Sequence, residues 1–136
     1  MHGGTSLESY LWVILGSALG GAGRYWCSGL VARRFGETFP WGTLTVNVAG
    51  SFAVGVLYFA CGPDSPWIVS ATTRQFLLAG ILGGFTTFSS FSIETFNLLK
   101  DGELTAVGVN VVGSVALGLL AAFAGDALAR AMALPR

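Results

Sequence analysis

Charged residues are scarce in this chain. Of its 136 residues only 10% are charged, and seven Lys and Arg balance seven Asp and Glu, so the net charge is zero. Soluble domains usually carry about a quarter charged residues. So few cations do not form a basic patch, which excludes nucleic acid as an expected partner.

The chain is also poor in the residues that enzymes and metal sites use. Its one histidine, His2, stands in a polar N-terminal stretch, and a catalytic nucleophile needs a base. No nucleotide-binding motif or metal-ligand spacing is present, so we expect a protein that is not an enzyme. Cys27 lies late in the first apolar segment and Cys61 at the far end of the second, toward the opposite membrane face. Bridged Cα atoms must lie within about 7 Å, so no disulfide is expected.

Hydrophobic residues, by contrast, make up 53% of the chain. A membrane-spanning helix needs about 20 apolar residues, and the chain offers four such segments, at about 10–32, 43–60, 74–98 and 104–129. The segment MHGGTSLE before the first one lacks the basic residues of a signal peptide, so the first segment is expected to be retained. The sequence predicts an all-α integral membrane protein with one four-helix transmembrane domain over residues 1–136.

The positive charges outside the spans are divided evenly between the two membrane faces. Cytoplasmic loops normally hold an excess of Lys and Arg. With four spans, one face holds three cations and the opposite face also holds three, namely Arg74, Arg130 and Arg136 against Arg33, Arg34 and Lys100. Two interpretations stay open: the charges are too few to be informative and a partner or insertase sets the orientation, or the chain inserts both ways and pairs as an antiparallel dimer.

Polar residues also recur at membrane depth, which is costly unless they are paired or functional. Arg24 and Glu94 could pair with each other or extend to an interface, and Asn47 could join helices by hydrogen bonds. Asn110 and Ser114 lie four residues apart, on one helical face. Taken together, these five residues suggest a polar lining shared between subunits.

Small residues predict close helix packing. Gly16 and Gly20 form one GxxxG pattern, and Gly80 and Gly84 form another, in the first and third apolar segments. Glycines at this spacing let helix backbones touch. The pattern is common in membrane bundles and does not identify a function.

The stretch GGFTTFSSFSIETF, residues 83–96, is unusual for a membrane segment. Gly83 and Gly84 disfavour a helix, and the β-branched Thr86 and Thr87 lose rotamer freedom in one. We therefore predict a break near the middle of the third span. Freed carbonyl groups at that depth could bind a small hard cation. The alternative is an unbroken helix with a glycine notch for a neighbour.

Beyond the predicted break, Phe85, Phe88 and Phe91 recur every three residues, with Ser89 and Ser92 beside them. Such a stripe is commonly packing or lipid contact. A phenyl ring also has a positive edge, and serine hydroxyls donate hydrogen bonds. Ring edges with a few neutral donors suit a small anion that must bind weakly enough to leave.

Three motifs carry a resemblance that covers essentially the whole chain. They are GGAGRY at 20–25, WGTLTVNVAG at 41–50 and GGFTTFSSFSIE at 83–94. In this order and in a chain of this size they resemble the CrcB/Fluc family of fluoride channels. The resemblance implies an antiparallel, dual-topology homodimer with two fluoride pores, and a bacterial inner or plasma membrane location. It also implies passive fluoride export, and so fluoride resistance.

The resemblance also implies roles for particular residues. A structural Na⁺ at the dimer interface would be held by backbone carbonyls of Gly83 and Thr86, and Gly83 is expected to adopt a backbone conformation strained for other residues or to approach the dimer axis closely. The implied pore residues are Asn47, Phe88, Phe91, Ser114, Asn110, Thr43 and Glu94. Arg24 is implied to have a vestibule or structural role. Ala106 stands where some members carry tyrosine. The line of polar residues on the fourth helix that includes Asn110 could therefore be shorter or differently built here.

Two other functions are compatible with a small four-helix membrane protein. A small four-helix proton-coupled multidrug exporter needs a carboxylate deep in its first span, and the candidate here, Glu8, precedes the apolar run. A purely structural membrane-bundle subunit would show no ion flux. The expected partners are a second copy of the chain, fluoride and membrane lipid.

Overall fold

The computed structural model describes residues 7–133, and these residues form helices joined by short loops. His2 and Arg136 lie outside the described residues. The elements are α1 (Leu7–Phe35), α2 (Trp41–Ala60), α3 (Ala71–Arg74), a π-helix (Gln75–Leu82), α4 (Gly83–Phe85), α5 (Phe88–Lys100) and α6 (Leu104–Ala133). The predicted all-helical fold is confirmed.

Three helical stretches among the described residues are long and apolar enough to cross a membrane: Trp41–Ala60, Ala71–Lys100 and Leu104–Ala133. They match the second, third and fourth predicted spans. The first predicted span is helical as α1, which is 29 residues long, but it is not one of these three. Its glycines, serines and arginines make it less apolar than the others. A count of four spans therefore stays a prediction.

We call residues 71–100 the interrupted segment, because its helix stops and restarts once. Its first arm comprises α3, the π-helix and α4, and its second arm is α5. Thr86 and Thr87 between the arms are extended, with φ, ψ of −82°, 157° and −152°, 114°. The predicted break is confirmed and lies at these two threonines.

Gly83 does not adopt the strained conformation expected of it. Its φ and ψ of −61° and −36° are those of an ordinary helix, which any L-residue can adopt. Gly84 is also helical, in α4. The break follows the side-chain capping of the two threonines rather than the flexibility of the two glycines.

The helices pair in an interleaved order. α1 packs on the π-helix and α4 of the first arm and more lightly on α2, whereas α2 makes its most extensive contact with α6. The loop after α1 is short because Gly36 takes a φ of +86°, a conformation that glycine reaches without strain. The second arm and α6 follow one another in sequence but contact each other much less.

Glycines explain how closely α1 and the first arm approach. A Cβ atom placed on Gly16 would lie 2.7 Å from the carbonyl oxygen of Phe76 and 2.8 Å from the Cα atom of Gly80. One placed on Gly84 would lie 2.9 Å from the Cα atom of Ser17. The two predicted glycine patterns therefore pack against each other, backbone to backbone.

The helices α2 and α6 cross in the same way through glycines that no GxxxG pattern marked. A Cβ atom on Gly55 would overlap the carbonyl of Ala122, and one on Gly125 would overlap that of Phe52. Both glycines are buried. Cys27 and Cys61 are free thiols, as expected from their positions.

Candidate functional site

The two threonines at the break satisfy backbone groups at two different helix ends, the C-terminal end of the first arm and the N-terminal end of the second arm. Thr86 ends the first arm, since its backbone N–H and its Oγ1 hydroxyl both donate to the carbonyl oxygen of Leu82 at 3.0 Å. Thr87 begins the second arm, since its Oγ1 accepts a hydrogen bond from the N–H of Ser90 at 3.2 Å. Threonine is a favoured residue at such helix N-termini. Thr86 thus donates to a carbonyl at a helix C-terminus, and Thr87 accepts from an N–H at a helix N-terminus.

Asn47 of α2 reaches across to the backbone of Thr87 and bonds it twice. The N–H of Thr87 donates to Oδ1 of Asn47 at 2.8 Å, and Nδ2 of Asn47 donates to the carbonyl oxygen of Thr87 at 3.0 Å. Donor faces acceptor in both bonds, which fixes the orientation of the amide. Asn47 is predicted either to join helices by hydrogen bonds or to line the pore, and the structure shows it joining α2 to the break in the interrupted segment.

These hydrogen bonds free two carbonyl groups from the helical pattern. In a continuous helix the N–H of Thr87 would donate to the carbonyl of Gly83, and the N–H of Ser90 to that of Thr86. Here those two donors bond to side chains instead, to Asn47 and to Thr87 respectively. The freed carbonyls belong to the two residues predicted to bind sodium.

A cavity of about 610 Å³ lies on one side of the break. We call it the first cavity. Arg24, Thr43 and Glu94 line it together with Ser28, Ser90 and Asn97. The hydroxyl of Thr43 donates to Oε1 of Glu94 at 2.7 Å, which links α2 to the second arm.

Arg24 and Glu94 share this cavity without forming an ion pair. Within residues 7–133 the ion pair found joins Arg130 to Asp126 at 2.7 Å, on the surface of α6. Nε of Arg24 and Oε2 of Glu94 are buried and have no hydrogen-bond partner among the described residues. The direct pairing that the sequence left open is not present, and each of these two buried atoms is left without a partner among the described residues.

A second cavity of about 490 Å³ lies on the other side of the break. Asn47, Thr86, Thr87 and Phe88 line it together with Ser51, Gly118 and apolar residues of α2 and α6. Among residues 7–133, Thr87 alone lines both cavities. The residue whose backbone Asn47 holds therefore stands where the two cavities meet.

The predicted phenylalanines lie at the start of the second arm. The ring centroids of Phe88 and Phe91 are 5.4 Å apart, with the rings tilted by 38°. Phe88 is 79% exposed, so within one chain it is hardly packed at all. An exposed aromatic residue beside polar groups indicates a surface that meets a ligand, lipid or another chain.

Asn110 and Ser114 lie apart from both cavities. Asn110 is buried, and its Nδ2 donates to Oγ1 of Thr95 at 2.9 Å, while Oγ of Ser114 is 3.5 Å from Oδ1 of Asn110. This contact ties α6 to the second arm. The structure thus separates the predicted pore residues into those around the break and this interhelical pair.

Sequence reasoning missed Thr87 as a site residue and missed the π-helix. Thr87 enters the sequence prediction only as a β-branched residue that weakens the helix. The N-capping pattern of threonine followed by a hydrophobic run could have indicated that Thr87 begins a new helix. The π-helix Gln75–Leu82 has no comparable signal in its sequence, QFLLAGIL.

Comparisons with known proteins identify the family. The family model described as CrcB-like protein, Camphor Resistance (CrcB), matches residues 11–126. The chain belongs to the CrcB family. It is 54% identical over 119 residues to the fluoride-specific ion channel FluC of Opitutus terrae, a match that covers 88% of this chain and 90% of the relative.

Other members of the family are similar over the same length. The FluC of Methylocella silvestris is 46% identical and that of Paramagnetospirillum magneticum is 50% identical, and each match covers about nine tenths of both chains. With three apolar helices of spanning length, this CrcB member is a membrane protein. The resemblance drawn from the three motifs is confirmed.

Proposed function

We propose that this chain forms a fluoride-selective channel through which fluoride leaves the cytoplasm passively. The observation that carries the proposal is the family match over most of the chain, with relatives named as fluoride-specific channels at 54% identity. The site agrees with this function. It offers cavities, hydroxyls and phenyl edges.

Passive export fits the chemistry of fluoride. Hydrogen fluoride crosses a membrane as a neutral acid and dissociates in the less acidic cytoplasm, where the anion is trapped. A selective path lets the anion leave down its gradient without nucleotide or coupled ion. We propose Thr43, Asn47, Phe88, Phe91, Glu94, Asn110 and Ser114 as residues along or supporting this path, with Arg24 at the first cavity.

The direct test is ion flux from liposomes that contain purified protein. Fluoride efflux should be fast and chloride efflux negligible in the same vesicles. Flux that requires a proton gradient, or that carries chloride as readily as fluoride, contradicts the proposal. Empty liposomes and liposomes that contain the Phe88→Ile variant provide the baseline.

The proposed assembly is an antiparallel homodimer of four-span chains in the bacterial inner or plasma membrane. The exposed Phe88 and the exposed Gly83 support it, because both lie at the break and neither is covered within one chain. A Cβ atom on Gly83 would meet only the carbonyl of Leu78, at 3.8 Å. This open side leaves room for a second chain to approach the break.

The even charge distribution gives a test of the dual orientation. Two lysines added to the loop at residues 101–103 should hold that loop in the cytoplasm in nearly all copies, because juxtamembrane charges set orientation. Flux should fall as antiparallel partners become scarce, and should recover when a variant with the opposite bias is co-expressed. A C-terminal reporter that finds the unmodified chain in one orientation only would contradict the dual topology.

We also propose that a structural Na⁺ binds at the dimer interface. The carbonyl oxygens of Gly83 and Thr86 fit such an ion, since hard cations prefer oxygen ligands and both carbonyls have lost their helical donors. Two chains would supply four oxygens. When bound, the ion would stabilise the assembly as any native-state ligand does. Because it would not be transported with fluoride, the flux should need no sodium gradient.

A further inference from the structure

We infer that Asn47 is a positioning residue that holds the interrupted segment open at Thr87. The inference deepens the proposed function and rests on it for two consequences, those for fluoride flux and for Na⁺ binding, whereas the protection of the Thr87 amide tests it independently. The amide of Asn47 bonds the N–H and the carbonyl of the same residue, at 2.8 Å and 3.0 Å. It therefore acts on the backbone conformation of Thr87.

The geometry of one extended residue explains why this pairing is selective. In an extended residue the N–H and the C=O point to the same side of the chain, as they do in a hydrogen-bonded pair of an antiparallel sheet. In a helix they point in opposite directions along the axis. Thr87 has φ, ψ of −152° and 114°. A single planar amide can bond both groups only in this extended conformation, so the pairing favours the break over a continuous helix.

The position of Asn47 on α2 is fixed from several sides. Gly50, three residues later on the same helix face, lies against Thr86, where a Cβ atom would overlap the Cγ2 methyl group. The carbonyl of Asn47 accepts a hydrogen bond from Oγ of Ser51 at 2.7 Å. Close approach of α2 at Gly50 thus brings the short side chain of Asn47 within reach of the backbone of Thr87.

The pairing has a consequence for the proposed ion sites. By accepting a hydrogen bond from the N–H of Thr87, Asn47 frees the carbonyl of Gly83. By fixing Thr87 as the N-cap of the second arm, it places Oγ1 of Thr87 on the N–H of Ser90. That second bond frees the carbonyl of Thr86. The amide of Asn47 is thus responsible for both freed carbonyls, for that of Gly83 directly and for that of Thr86 through Thr87. It uses one of the two N–H groups of Nδ2 and leaves the other for an anion.

The experiment compares two variants by hydrogen exchange at the Thr87 amide in the purified channel. Asn47→Leu removes both partners, so the protection of that amide should fall about tenfold, the effect expected when a hydrogen bond of roughly 1.4 kcal/mol is lost. Asn47→Asp keeps an acceptor for the N–H, so protection should stay close to that of the unmodified chain. Unchanged protection in Asn47→Leu overturns the inference.

The second readout is the rise in melting temperature that Na⁺ produces when it replaces a bulky organic cation. The rise should be largest in the unmodified chain, smaller in Asn47→Asp, where a carboxylate faces the carbonyl of Thr87, and absent in Asn47→Leu. Asn110→Leu is the matched control, because that buried amide bonds the side chain of Thr95 instead of the break. It should lower the melting temperature and leave both the Na⁺ response and the Thr87 protection intact.

The outcomes separate this inference from the proposed function. If Asn47→Leu abolishes fluoride flux while Thr87 stays protected, Asn47 acts by contacting the anion, and the positioning role is wrong. If the unmodified chain conducts no fluoride but the exchange pattern holds, the proposed function fails and the positioning role stands. If Asn47→Leu does not fold, the Na⁺ response of Asn47→Asp decides, and a response equal to that of the unmodified chain overturns the inference.

Discussion

The two arms of the interrupted segment are fastened to the protein by different means. The first arm packs on α1 with backbones in contact, because glycines face each other where the helices cross. The second arm is attached through individual polar side chains, by the bond from Thr43 to Glu94 and the bond from Asn110 to Thr95. A change in the first arm should therefore affect folding, and a change in the second should affect function or cause a small loss of stability.

The largest effect is expected at the helix crossing of the first arm. In Gly20→Ala the new methyl group would overlap the carbonyl of Ile81, so the helices must separate, at a cost of about 3 kcal/mol. The protein should lose its single symmetric peak in size-exclusion chromatography and should melt at a lower temperature.

A neighbouring glycine provides the control for this prediction. In Gly21→Ala the methyl group would meet no atom of another element within 4 Å among residues 7–133, so the variant should behave as the unmodified protein. Equal melting temperatures for Gly20→Ala and Gly21→Ala would show that the crossing is not closely packed.

The next effect concerns the phenylalanines of the second arm. Phe88→Ile and Phe91→Ile remove the ring edge while keeping much of the bulk. Fluoride efflux should fall about tenfold for each 1.4 kcal/mol by which the lost anion contact raises the barrier to passage. The melting temperature should change little for Phe88→Ile, because Phe88 is 79% exposed within one chain.

The control replaces a phenylalanine outside the interrupted segment. Phe123 of α6 is 73% exposed and, unlike Phe88, lines neither cavity. Phe123→Ile should conduct fluoride at the normal rate. Normal flux in both Phe88→Ile and Phe91→Ile would assign the stripe to packing or lipid contact alone.

The smallest effect is expected at the bond that fastens the second arm to α2. Thr43→Val keeps the shape of the side chain and removes the hydroxyl that donates to Glu94 at 2.7 Å. The loss of one such bond should lower the free energy of unfolding by about 1 kcal/mol. Thermal unfolding measures the change.

Thr45 on the same helix is the matched control, since it is exposed and close in sequence. Thr45→Val should leave the unfolding transition unchanged, because no buried acceptor loses its donor. A Thr43→Val protein that melts at the temperature of Thr45→Val would mean that the bond to Glu94 adds nothing to the attachment of the second arm.

The sequence predicted the close packing of the first arm better than it predicted the attachment of the second arm. Glycine spacing at Gly16, Gly20, Gly80 and Gly84 predicted close approach, because small residues act through their own size. The partner of each pattern could not be assigned from spacing. The break was predicted within a few residues. Its predicted cause included the low helix propensity of the two glycines, whereas in the structure the helix ends are capped by Thr86 and Thr87.

What the sequence could not supply were contacts between distant residues. Asn47 and Thr87 are 40 residues apart, and nothing in either motif indicates that one side chain bonds the backbone of the other. The sequence marks polar residues within the apolar segments, but which of them share a cavity depends on helix rotation. Arg24 and Glu94 do share one, and Asn110 faces Thr95 instead.

The interleaved order of the helices also has a consequence for the timing of synthesis. α1 packs mainly on the first arm and α2 mainly on α6, so each leaves the ribosome before its principal partner exists. Until the first arm has been made, α1 has only its lighter contact with α2, and α2 gains its largest contact only when α6 follows. Early orientation of the chain is therefore decided before the packing that would hold it, and loop charge rather than tertiary contact is the property that acts at that stage.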